Sequence, residues 1–425
     1  MLEKPMGDGI EADTTGTQAG TAPAGPLAGL RVIELGHFIA GPFATRLLAD
    51  LGAEIIKVEP PEGGDPARGW GIAVEGNSLW WSVHARHKKC ITLDLKSPAG
   101  RDIALKLIAE ADAVIENFRP GQLERWGLGP QEIKAVNPDC ILVRISGFGQ
   151  NGPYRDKVSF GVIGEAMGGI RHLTAYPPDG AVDLPPVRTG VSLADSLAGI
   201  YGVVGLLAAI YQRDVRKTRS GQLVDVALYE AVFSLMEGCL PEYSKLGVVR
   251  QPAGSMLPST APSNAYRCAD GSWICIAGNS DRIFRRLMDL IGRPELADDP
   301  RYATNWSRVA NVAQLDTLIA AWAIGQPARA AVEKLEASDV PASIIYTIAD
   351  CVQDPHFDAR GMIQQVEDAQ FGPLLHPGIV PQFDGVSPKV AEPGPALGAH
   401  TEEVLSQLLG LDAAAVGKLR ADGIV

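Results

Sequence analysis

Cysteine is sparse and scattered. The six residues, Cys90, Cys140, Cys239, Cys268, Cys275 and Cys351, form no CxxC pair. That spacing argues against a disulfide scaffold or a thiolate-held metal, and fits free thiols in a reducing, cytoplasmic setting. Basic residues are the minority, 38 against 50 acidic ones, for a formal charge of −12. Neither nucleic acid nor an anionic membrane surface is therefore expected as the main partner. There is no G-x-S-x-G elbow, no P-loop and no H-E-x-x-H, which removes serine hydrolases, P-loop nucleotide enzymes and zinc proteases. No stretch reads as a membrane span. Residues 1–25 are rich in Gly, Ala, Thr and Pro and lack the apolar core of a signal peptide. They read as a disordered tail, with the folded chain beginning near Pro26.

Apolar residues make up 46% and charged ones 21% of 425 positions, a globular composition on a chain long enough for two domains. LRVIEL (30–35), PFATRLLADLGA (42–53) and EIIKVE (54–59) read as strand, helix, strand, with Pro42 at a first helical position. CITLDL (90–95), the helix 97–111 and DAVIEN (112–117) repeat the pattern, and CILVRISGF (140–148) adds another strand. The expected class is α/β, a Rossmann-like open parallel sheet. WICIAG (273–278), helical stretches near 282–291 and 312–336, and PASIIYT (341–347) suggest a smaller α+β region. The Pro/Gly/Ser stretch 250–263 reads as a hinge or lid. Thr401 reads as the N-cap of a closing amphipathic helix.

Leu197 to Ile210 is apolar or tiny on every face and reads as a fully buried helix. Asp195 stands in its first turn, and two readings remain open. Asp195, or Ser192 before it, caps the helix; or a carboxylate at the edge of an apolar interior serves covalent catalysis. The first βα turn, GHFIAGP (36–42), lacks the dinucleotide glycine pattern, so nicotinamide binding is a remote reading. His84 to Lys89 is a basic cluster, either a solvated turn or a phosphate clamp. Arg68, Arg119 and Arg125 follow strand ends on the side where open sheets bind phosphorylated ligands. Asn117 and Phe118 beside Arg119 suit an adenine and its phosphates, though a plain turn would use similar residues.

LAGLRVIELGHFIAGPFATRLLADLGAEIIKVEPPEGGDPARGW, ENFRPGQLERWGLG, ISGFGQNGPYRD, LADS (193–196) and LGAHTEEVL occur in this order. Together they resemble the class III coenzyme A transferases, the family of formyl-CoA transferase, carnitine CoA-transferase and the acyl-CoA racemases, over residues 27–425. The resemblance implies that Asp195 is the nucleophile and that Ile39 and Ala40 line the CoA site. It also implies that Lys88 contacts CoA phosphates, with Asn117, Phe118 and Arg125 as further contacts. It implies a large domain from both chain ends (26–225 and 336–425), a small domain between them (226–335), and an interlocked homodimer. Acyl-CoA is then a substrate, with no tightly bound cofactor and no metal.

Some positions depart from the pattern. Pro60 and Ser146 replace basic residues, and a tetraglycine lid is absent, which argues against oxalate as acceptor. Residues 157–165, KVSFGVIGE, lack the histidine that racemases pair with their aspartate. Glu165 stands where relatives often carry an amide and is flagged as substrate-facing. The expectation is CoA transfer from an acyl-CoA, with succinyl-CoA as donor, to a small dicarboxylate or hydroxydicarboxylate. Arg171 or Arg188 would receive the distal carboxylate, and the Gly168–Gly169 amides would stabilise oxyanions. A racemase or epimerase is the alternative; a nicotinamide oxidoreductase and a non-catalytic CoA-binding protein are remoter ones.

Overall fold

The computed structural model of the chain describes residues 25–177, 184–384 and 389–425. The tail expected at 1–25 lies outside them except for Gly25. Six parallel strands form the central sheet, in the order Lys88–Thr92, Glu54–Glu59, Arg31–Glu34, Ala113–Glu116, Ile141–Ser146, Leu223–Ala227. In register, Ile33 lies between Ile56 and Val114. These strands are near-continuous Val/Ile/Leu runs because helices cover both faces of the sheet. The chain adds Glu54–Glu59 and Lys88–Thr92 on one side of Arg31–Glu34, then crosses to Ala113–Glu116 on the other, so the turns after Arg31–Glu34 and Ala113–Glu116 flank a crevice. The alternation read from the sequence is the observed one.

The helix Ala40–Asp50 begins earlier than Pro42 and turns Ala40, Ala44, Thr45 and Leu48 inward. The helix Leu193–Ile210 packs against it, with Gly199 beside Ala40 and Phe43, while Gly202 faces Val143 and Ile145 of the sheet. That helix is not buried all round. Ile200, Tyr201 and Val204 are exposed, so the apolar run covers the sheet on one side only. With the following turn, Leu193–Val215 does reach the length and hydropathy of a span, and 39% of its most apolar 18-residue stretch is buried.

A second, antiparallel sheet joins Ser263–Arg267, Trp273–Ala277 and Ala342–Ile344. Its own core includes Tyr266, Ile276, Phe284, Leu315 and Leu335. The strand Ala342–Ile344 lies beyond the boundary expected at 335, because its backbone completes this sheet. The helices Thr401–Leu409 and Ala413–Ala421 return to the first core, where Val404, Leu405 and Val416 pack with Ile33 and Ile56. Thr401 is not an N-cap; His400 holds that position. The Thr401 hydroxyl instead accepts from the Thr92 amide at 3.0 Å, tying this helix to the sheet.

Candidate active site

Neither Ser192 nor Asp195 fastens the helix start, since no side-chain capping bond forms there. The Asp195 carboxylate is directed instead at Gly161, where a Cβ would stand only 1.9 Å from Oδ2. Only a glycine leaves room for the carboxylate. Two cavities share Asp195, Phe38 and Phe160 in their walls. One, of about 500 Å³, adds Trp70, Trp80, Arg188 and Val191. The other, of about 220 Å³, adds Asn117, Phe118, Arg119 and Ser146. Burial pushes the Asp195 carboxyl up to about 6; Glu165 adds to this, while its own amide and Arg188 oppose it.

The turn after Arg31–Glu34 is held by the turn after Ala113–Glu116. Asn117 accepts from the His37 amide and donates to the His37 carbonyl, both at 2.8 Å. Its amide group therefore orders the neighbouring turn. The Phe118 ring stands edge-on between His37 and Trp126, at 5.1 and 5.0 Å. His37, Phe118 and Trp126 share a slot with Pro60 and Leu93 to Lys96. Phe38 has φ 64°, a left-handed conformation that costs a residue with a Cβ about 1–3 kcal/mol. Ile39 and Ala40 are buried where this turn enters the helix.

Several expected phosphate contacts are engaged elsewhere. The Lys88 ammonium is buried and bonds to Glu34 at 2.9 Å and the Pro42 carbonyl at 2.7 Å. It neutralises a core carboxylate and does not face the crevice. Its neighbour Arg86 makes a two-pronged pair with Asp50, at 2.8 and 2.6 Å. Within His84–Lys89 the buried cations Arg86 and Lys88 thus form internal ion pairs, and Lys89 pairs with Glu54 and Glu403 nearer the surface. Arg68 grips both oxygens of Glu59 at 2.7 Å and lies 3.7 Å over the Trp81 ring, so its charge is already compensated. Arg119 and Arg125 are exposed, Arg125 beside Gln122. Of the two, Arg119 lines the cavity with Asp195.

The expected acyl-side groups separate in the same way. Glu165 is buried, holds Arg171 at 2.9 Å and stands 3.8 Å from Arg188. Arg171 is therefore committed to Glu165, whereas half-exposed Arg188 opens onto the larger cavity. The Gly168 amide donates to the Gly164 carbonyl at 2.8 Å, and the Gly169 amide to that of Ala166 at 3.4 Å. Both complete helical turns, which corrects their expected oxyanion role. The stretch Arg250–Pro258 lines a separate cavity with Ile170, Leu173 and Met236. Sequence reasoning missed Phe38, Trp70, Trp80, Phe160 and Gly161. Nothing local marks them, because they meet Asp195 only through the fold.

Residues 27–401 match the model of CoA-transferase family III. The chain belongs to that family. This CoA-transferase is 48% identical over 404 residues to the succinyl-CoA–D-citramalate CoA-transferase of Chloroflexus aurantiacus, covering 95% of this chain and 99% of that one. It is 36% identical over 392 residues to the succinate–glutarate CoA-transferase of Agrobacterium fabrum, covering 90% and 96%. A crystal structure of a CaiB/BaiF family protein from Brucella suis aligns with TM-score 0.78 and 36% identity, over 91% of this transferase and all of that chain (100%).

Proposed function

We propose that the enzyme moves CoA from succinyl-CoA to a small dicarboxylate or hydroxydicarboxylate, with Asp195 as the covalent carrier. The observation that carries this reading is one carboxylate shared by two cavities of different character. On one side, Phe118 and Arg119 suit a nucleotide and its phosphates; on the other, Arg188 among Phe38, Trp70 and Trp80 suits a short acid with a second carboxylate. The named acceptors of the relatives, citramalate and glutarate, are of this kind.

An Asp195 oxygen attacks the thioester carbonyl; the C–S bond breaks, leaving a mixed anhydride and CoA thiolate. The thiolate attacks the aspartyl carbonyl and expels succinate, giving an aspartyl-CoA thioester. The acceptor carboxylate attacks that carbonyl and releases thiolate, forming a second anhydride. Thiolate attack on the acceptor's carbonyl yields the new CoA ester and restores Asp195. Each step exchanges one activated acyl bond for another, so no external energy source enters. Partial burial raises the reactivity of the carboxylate and keeps water from the thioester.

The large domain is drawn from both chain ends, supported by the shared packing of Val404 and Val416 with Ile33. A second copy of the chain covers the uncovered apolar face of Ile200, Tyr201 and Val204 in a homodimer. Substitution of Asp195 by Ala tests the central role: transfer between succinyl-CoA and citramalate should disappear while CoA still binds. Exchange of an α-proton in deuterated water without any acid-to-acid transfer would favour the racemase alternative.

A further inference from the structure

The turn facing Asp195 is fastened at two points by unrelated side chains. Asn117 brackets His37 on the side of Phe118 and Arg119. Asp65, from the segment after Glu54–Glu59, takes the next residue: its Oδ1 accepts from the Phe38 amide at 3.0 Å and from the Ala67 amide at 2.9 Å. Its second oxygen faces the Lys57 ammonium at 2.7 Å. Lys57 also binds Glu34 at 2.7 Å and the Gly36 carbonyl at 3.0 Å. Asp65 and Lys57 are fully buried, so this ion pair forms a rigid strut beneath the turn.

Phe38 is the residue that needs such a strut. It holds a left-handed backbone without being glycine, and its ring stands 4.8 Å from Trp70. It is also a wall of both cavities beside Asp195. Conformations of this type persist only where the surroundings over-determine them.

We propose that Asp65 is a positioning residue for acyl transfer, acting through Phe38. The Asp65–Phe38 bond fixes the backbone and ring that face the reacting carboxylate, while Asn117 independently fixes the part of the turn nearer the nucleotide. The inference rests on Asp195 being the nucleophile. It divides one turn into a half that governs turnover and a half that governs CoA affinity.

Three variants separate these roles, assayed with succinyl-CoA and citramalate and normalised to folded protein by circular dichroism. Asp65→Ala should lower kcat about 10²-fold, the scale of a small misplacement of reacting groups, with KM for succinyl-CoA changed less than about threefold. Asp65→Asn can keep an oxygen on the Phe38 amide but turns an NH2 toward the Lys57 ammonium, so it should lose stability while the folded enzyme holds kcat at least about tenfold above that of Asp65→Ala. Asn117→Ala should act mainly on KM for succinyl-CoA. Full turnover by Asp65→Ala, equal losses in the Ala and Asn variants at position 65, or a loss confined to KM would overturn the proposal. Turnover by Asp195→Asn, measured in parallel, would instead remove the nucleophile reading beneath it.

Discussion

Gly161 and Asp195 are fitted to each other: a single added methyl at 161 would stand 1.9 Å from the Asp195 Oδ2. Gly161→Ala must therefore displace the carboxylate or the start of the helix Gly161–Met167. Transfer should fall about 10²-fold or more, while CoA affinity, set on the other side of Phe38, stays near that of the parent. Steady-state kinetics together with calorimetric CoA titration check both halves of the expectation.

The acid limb of the rate should report Asp195. Its carboxyl, lifted to about 6 by burial and Glu165 in the free enzyme, attacks only when ionised, so kcat/KM should rise with pH and level off above that point. Glu165→Gln removes a negative neighbour and should move the limb to lower pH by about half a unit to one unit. A pH–rate profile of both proteins reads the shift directly.

The same burial has a cost in stability. A carboxyl whose pKa is higher folded than unfolded binds its proton more tightly in the native state, so stability falls as pH rises from near 4 to near 6. Asp195→Asn removes that loss. Its advantage over the parent should be absent at pH 4 and reach about 2–3 kcal/mol above pH 6. Urea melts at pH 4 and pH 8 test the sign as well as the size.

Among the described residues, Arg188 is the cation that opens onto the larger cavity, and Glu165 engages Arg171 at 2.9 Å. Arg188→Gln should raise KM for citramalate about tenfold or more, the loss expected for one charge-assisted pair. A monocarboxylic acceptor should be little affected. Comparing the two acceptors with each protein supplies the check.

The buried pair Asp50–Arg86 serves the fold alone. Asp50→Ala leaves the Arg86 guanidinium uncompensated among His87 and the sheet edge, and should destabilise the protein by about 3–5 kcal/mol. Residual folded enzyme should retain ordinary KM values, as measured at low temperature.

The parallel sheet was legible because its strands are short apolar runs separated by helical periods, and each period is a local property. The place of Asp195 at the mouth of its helix was legible from one acid opening an apolar run, and its role as carrier is the proposal made above. The cations were not. Lys88, Arg68 and Arg86 look alike in sequence to a phosphate clamp and to a buried ion pair. What decides is whether Glu34, Glu59 and Asp50 lie beneath them, and that depends on strands and helices distant in the chain. The Gly168–Gly169 amides failed for a related reason: two glycines signal backbone freedom, not whether their N–H groups are already taken by helical turns. The exposed face of Leu193–Ile210 was hidden because an apolar side chain reads the same in sequence whether it faces the core or is left uncovered.

The most direct measurement of the account is covalent. The enzyme is incubated with succinyl-CoA, quenched with hydroxylamine, digested and analysed by mass spectrometry. A hydroxamate on Asp195, absent without succinyl-CoA and formed at least as fast as turnover, is the predicted result. An unmodified Asp195 under turnover, or a hydroxamate on another carboxylate, would contradict it.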